Sequence, residues 1–62
     1  MNYRQIEMIL RNDGWVWVRS KGSHRLFRHP VKPGMVTVPY HGRSYEIPLG
    51  TIRMILRQAG LR

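Results

Sequence analysis

From residue 15 to residue 30 the chain runs Trp15-Val16-Trp17-Val18-Arg19-Ser20-Lys21-Gly22-Ser23-His24-Arg25-Leu26-Phe27-Arg28-His29-Pro30. Trp15-Val16-Trp17-Val18 is aromatic and β-branched, the composition that fits a pleated surface, and reads as a strand. Lys21-Gly22 reads as a turn. His24 to His29 is a second strand, ended by Pro30, whose ring removes a backbone donor. A hairpin is the economical connection between two such runs. Downstream, Val31-Lys32-Pro33-Gly34 carries the Pro-Gly loop signal. Met35-Val36-Thr37-Val38 then forms a third strand stopped by Pro39, and Tyr40 to Pro48 is polar, Gly-containing loop.

Outward from these strands, both ends of the chain carry helical spacing. Asn2 is a good N-cap, and Gln5 three residues on completes a variant of the capping box. Tyr3, Ile6, Ile9 and Leu10 then make one apolar stripe, and Asn12-Asp13-Gly14 supplies the stop. Near the other end Ile52, Ile55, Leu56 and Ala59 share a face, Gly60 follows as the C-terminal cap, and Leu61 is placed to fold back as its hydrophobic contact. The order is αβββα. It predicts an α+β fold, a single domain over residues 1–62, in which two helices cover one face of a three-stranded antiparallel sheet and leave the other bare.

The charge balance says what such a bare face meets. Eleven Lys or Arg stand against three Asp or Glu in 62 residues, a formal net charge of +8. Nine of the eleven are Arg, whose planar fork matches phosphate bidentately. Because the cations are spread along the chain, a basic membrane-surface helix is disfavoured and a polyanion, nucleic acid foremost, is the expected partner. A chain this short has no room for a separate cofactor domain. It has no cysteine for a disulfide or a zinc-thiolate site, so its stability rests on a small core, self-association or a partner. No run of apolar residues is long enough to span a bilayer, the first residues lack a secretory signal, and the absence of cysteine suits a reducing cytoplasm.

Few residues are equipped for chemistry. Three carboxylates, Glu7, Asp13 and Glu46, make a two-metal nuclease site improbable, and His24 and His29 on one strand point to opposite faces, so neither a metal nor a cofactor is expected. Ser23-His24 is a poor nucleophile–base pair for the same reason. From spacing alone His24 reads first as a polar strand residue that packs locally or binds phosphate without chemistry. The sharper reading makes it a metal-free acid–base catalyst, with Lys21, Arg25 and Arg28 as phosphate-binding cations. RNA brings its own nucleophile, the 2′-hydroxyl. An imidazole titrating near neutral pH can move the proton, and cations can stabilise the charge developing on phosphorus. Phe27 lies three residues on and faces away from His24; with Phe27 under the helices, His24 is exposed on the bare sheet. Trp15 reads as core, with Trp17 divided between core and base stacking. Met8, Met35 and Met54 read as gap-fillers, and Arg53 and Arg57 as a solvated helix face. The Leu49-Gly50-Thr51 helix start reads mainly as a cap. On the residues alone a non-catalytic small basic RNA-binding module stays open beside the nuclease, as does a basic subunit that only docks an acidic protein.

Gly14-Trp15, Arg19-Ser20-Lys21-Gly22-Ser23-His24, Phe27-Arg28-His29-Pro30, Val36-Thr37-Val38-Pro39 and the run from Gly50 to Leu61 together resemble the HicA family of bacterial toxins. The likeness covers nearly the whole chain, in order. It implies a fold like the double-stranded-RNA-binding domain and a toxin that cleaves mRNA. It also implies a catalytic histidine at the position of His24, and a neighbouring acidic HicB antitoxin that neutralises the toxin. Two positions depart from the family pattern: Ser20 stands where many members carry Gln, and Arg25 where many carry a second His.

Overall fold

A computed structural model of the chain describes residues 1–61. Helix α1 spans Tyr3–Asn12, strands β1, β2 and β3 span Val16–Lys21, His24–Arg28 and Val36–Pro39, and helix α2 spans Leu49–Gln58. The strands lie in the order β1-β2-β3, every pair antiparallel. The αβββα reading and its α+β class therefore hold. Against the expected limits, β1 begins one residue later and runs three residues further, and β3 is displaced by one residue.

The helix ends are built as the sequence indicates. The backbone N–H of Gln5 donates to Asn2 Oδ1 and that of Asn2 to Gln5 Oε1, both at 2.9 Å, closing the capping box. At the other end of α1, Gly14 N–H donates to the Arg11 carbonyl and Trp15 N–H to the Leu10 carbonyl, each at 3.0 Å. This is the paired arrangement that satisfies the last carbonyls of a helix. The same pair recurs after α2, from Gly60 to Arg57 at 3.1 Å and from Leu61 to Leu56 at 2.8 Å. Helix α2 opens differently: Pro48 is its N-cap and no side chain bonds the first turn, so Thr51 does not cap it.

Tyr3, Ile6 and Leu10 from α1, Ile52 and Ile55 from α2 and its C-cap Ala59 meet Phe27, Val36 and Val38 in one buried cluster. Both helices therefore cover the same face of the sheet. Trp15 is only 1% exposed and belongs to this core, as read from its size. Ile47, in the Tyr40–Pro48 loop, is also buried there. Its burial escapes a periodicity argument because its neighbours form no repeating pattern. Met8 and Met54 are more than half exposed and fill no gap. They occupy helix positions off the apolar stripe, which helical geometry turns to solvent.

A polar bracket ties the loop after β2 to both helices. The Lys32 ammonium donates to Asp13 Oδ2 and to the Ala59 carbonyl, joining the ends of α1 and α2. His29 Nδ1 accepts the N–H groups of Val31 and Lys32, both at 3.0 Å, so the ring proton sits on Nε2 and is donated to the Asp13 carbonyl at 2.6 Å. Gly14 is packed beneath this ring. It adopts φ +102°, and a Cβ there would lie 2.7 Å from His29 Nε2. Gly14→Ala is expected to lower stability by about 1–3 kcal/mol from backbone strain and the displaced imidazole, read as a fall in the urea midpoint at unchanged slope.

The Lys32 ammonium hydrogen-bonded to Asp13 holds that carboxyl below the usual aspartate range. A carboxylate whose folded value is depressed stabilises the fold above its unfolded value, and that contribution is lost as pH falls through the folded one. Wild type is therefore expected to exceed Asp13→Asn in thermal midpoint at neutral pH. The two midpoints should converge when both are measured well below the aspartate range.

Candidate nucleic-acid interface

The hairpin between β1 and β2 turns on two residues, Gly22 and Ser23. Gly22 has φ +60° and no other type of residue in the described chain has positive φ. Positive φ at the first turn position alone is the type II′ geometry, whose twist matches that of the flanking strands and which calls for glycine there. The turn sets His24 as the first residue of β2, directly opposite Lys21 on β1 and Pro39 on β3.

Faces follow from the register. Phe27 and Val36 are paired and buried under the helices, so Leu26 and its partners Arg19 and Thr37 point to the open side, together with His24, Lys21 and Pro39. His24 is exposed, as its spacing from Phe27 requires. Arg28 is also on this side, opposite Val16, but four residues along the strand from His24, roughly 13 Å at the usual rise. Leu26 is only 8% exposed although it stands outside the main core.

Alternation along β1 is broken at Val18. Trp17 pairs with Phe27 and Arg19 with Leu26, so one residue of β1 has no partner. That bulge places Trp17 on the helix side and Arg19 and Lys21 on the open side, although all three positions are odd. Strict alternation from Trp17 would send Lys21 to the helices. Arg19, opposite His24's strand neighbour Leu26, is the cation that sequence reasoning did not select for the site. Only the bulge brings it there.

Arg25 does not join Lys21 and Arg28 beside His24. Being next in the strand, it points to the helix side, where its guanidinium carbon lies 3.9 Å from the ring centre of Tyr40, 4.2 Å from that of Trp17 and 4.9 Å from that of Tyr3. The picture of three cations encircling one imidazole is corrected by the pleat: Lys21 adjoins His24, Arg28 shares its face at a distance, and Arg25 lies behind the sheet. Trp17, 39% exposed, is neither full core nor a free stacking platform, since Arg25 rests on its ring and its indole N–H donates to the Arg19 carbonyl at 3.1 Å.

Tyr3, beneath Arg25, has a buried hydroxyl with no hydrogen-bond partner, and burial pushes its ionisation above the ordinary tyrosine range. A buried hydroxyl left unpaired is a cost that removal relieves. Tyr3→Phe is accordingly expected to be neutral or to stabilise by about 1 kcal/mol, measurable as an unchanged or raised urea midpoint.

The charge is one-sided. Glu7 is paired with Arg11 at 3.1 Å and Asp13 with Lys32, and no carboxylate lies among the open-face positions of the sheet. Arg19, Lys21 and Arg28 enter none of the ion pairs of the described residues. Of the other histidines, His29 is in the bracket below α1, and His41, in the loop after β3, stacks edge-on against Tyr45 at 4.7 Å. Among the described residues no three His, Asp or Glu side chains are gathered as a metal ion would need. No helix among them is long and apolar enough to cross a membrane.

Comparison with known families bears on this exposed histidine and its cations. The family described as HicA toxin of bacterial toxin–antitoxin matches residues 3–61 of the chain. No curated protein matches it. The match runs from the first residue of α1 to Leu61 and takes in the Gly22-Ser23 turn, His24 and the whole sheet. The chain therefore belongs to the HicA family of toxins from bacterial toxin–antitoxin systems.

Proposed function

We propose that this toxin is an endoribonuclease that cuts mRNA at His24 without a metal ion. The observation that carries the reading is an exposed imidazole on a carboxylate-free sheet face, with Lys21 directly across from it. In the proposed reaction the RNA 2′-oxygen bonds to the adjacent phosphorus as its proton leaves, and the bond from phosphorus to the 5′-oxygen breaks. The products are a 2′,3′-cyclic phosphate and a 5′-hydroxyl. His24 serves as general base toward the 2′-hydroxyl or as general acid toward the departing 5′-oxygen. Lys21 offsets the charge that grows on the phosphoryl oxygens. Arg19 and Arg28 hold neighbouring phosphates on the same face, and Arg25 contributes from behind the sheet.

Family membership implies an antitoxin partner. An acidic, HicB-like antitoxin that lies over the open face would cover His24 and screen its cations, inhibiting the toxin by occupation of the site. Incubation of the purified protein with RNA in EDTA tests the nuclease reading. New ends carrying cyclic phosphate support it. Retention of RNA with no new ends would instead establish the non-catalytic RNA-binding module.

A further inference from the structure

The helix side of the sheet's His24 end holds an open cleft of about 410 Å³, lined among others by Tyr3, Arg4, Glu7, Arg25, Tyr40 and Arg43. Three arginines face one carboxylate there, and Glu7 is already committed to Arg11. Arg4, Arg25 and Arg43 enter none of the ion pairs of the described residues. Arg25 is the least exposed of them. Three aromatic rings pack against its guanidinium, so its orientation is set before any ligand arrives. A guanidinium packed among rings and engaged in no ion pair, in a cleft where arginines outnumber the single carboxylate Glu7, is a preorganised receptor for a forked anion.

The cleft and His24 share two stretches of backbone. Arg25 follows His24, and Tyr40 follows Pro39, the β3 residue opposite His24. Tyr40 N–H also donates to the Ser23 carbonyl at 2.7 Å, fastening this edge to the hairpin turn. The two sites thus lie back to back across one end of the sheet. A flexible single strand of nucleic acid laid over His24 can continue round that end into the cleft.

We infer that the Arg4–Arg25–Arg43 cleft is a second anion subsite, which holds phosphodiesters of single-stranded RNA flanking the phosphate at His24. This rests on the RNA-cleaving reading above. Repeated charge favours RNA over an acidic side chain as occupant: three arginines meet successive phosphates of one backbone, whereas one carboxylate needs a single fork.

The test is binding of a short fluorescein-labelled RNA to the His24→Ala protein, which leaves the probe intact, across a salt series. Arg4→Ala with Arg43→Ala removes two exposed charges from the cleft without touching the core. Arg53→Ala with Arg57→Ala removes two exposed charges from α2 as the matched control. The cleft pair is expected to weaken binding several-fold and to reduce the slope of log affinity against log salt by about 0.7 for each phosphate no longer neutralised; the control pair should change it little. Arg25→Lys, which keeps the charge and loses the fork, should weaken binding while its thermal midpoint reports whether the fold persists. Equal weakening by both double variants, or none by the cleft pair, overturns the subsite. So does loss of binding to a poly-glutamate probe with RNA binding unchanged. Cleft-dependent binding by a wild-type protein that cuts no RNA upholds the subsite and overturns only the catalytic reading. Absence of RNA binding by every version at low salt overturns the RNA reading and the subsite with it.

Discussion

His24→Ala is expected to abolish detectable RNA cleavage and toxicity while leaving the protein folded. A positioned acid–base group contributes about 10²–10⁴-fold to rate. No second histidine stands among the paired open-face positions of the sheet, His29 being held against Asp13 and His41 lying in the loop after β3 against Tyr45. The fold should not notice the change. His24 is exposed at the hairpin end of β2, and the core beneath β2 is built from Phe27 and its neighbours on the other face. The check is paired: transcript integrity and growth after induction of each version, and a urea midpoint for each purified protein. A His24→Ala protein as toxic as wild type would sink the assignment. An inactive variant with a lowered midpoint would leave folding as the cause, which His24→Gln at the same exposed position then separates from chemistry.

Phe27→Ala should give the opposite pattern, loss of activity through loss of the fold. Phe27 has no exposed surface and packs with Val36, under both helices. Truncating a buried phenylalanine costs about 3–5 kcal/mol, and a single core in a chain of this size rarely supplies more than about 3–5 kcal/mol in total. No disulfide reinforces it, since the chain has no cysteine. The variant is therefore expected to be largely unfolded at room temperature, with a collapsed near-ultraviolet signal and fast proteolysis. Cooperative unfolding at a midpoint close to wild type would show that the helices can close over the vacated space. It would also remove the argument that this core is near its lower limit.

These two outcomes bear on how the charge is used. The net +8 draws any polyanion, and affinity of that kind carries neither chemistry nor sequence preference. The pairing of charges narrows it. Glu7 and Asp13 are engaged by Arg11 and Lys32, so the open face carries no carboxylate and in the cleft behind it three arginines face the one paired carboxylate of Glu7. An antitoxin that covers the open face meets that same field, and by binding only the folded toxin it would raise the toxin's apparent stability.

Much of the architecture was legible from local chemistry. Capping at Asn2 and Gln5, the glycines after each helix and the proline stops act within a few residues of themselves, so the sequence carries them openly. The apolar stripes of α1 and α2, and the exposure of His24 that follows from its odd separation from Phe27, rest on the periods of helix and strand, which are equally local. The burial of Ile47 and the bracket joining Asp13, His29 and Lys32 were not legible, because their partners lie far along the chain.

The sharpest division falls within the site. By itself the sequence determined the αβββα order, the basic surface, the outward-facing His24 and the family likeness that residues 3–61 bear out. Which cations stand beside that histidine was decided only in the tertiary structure. One unpartnered residue at Val18 reverses the alternation of β1 and brings Arg19 and Lys21 to the open face. The pleat of β2 carries Arg25 away from it, into the rings of Tyr3, Trp17 and Tyr40. A side chain's face depends on its count from the last paired residue, and a bulge changes that count without changing the composition that sequence reasoning reads.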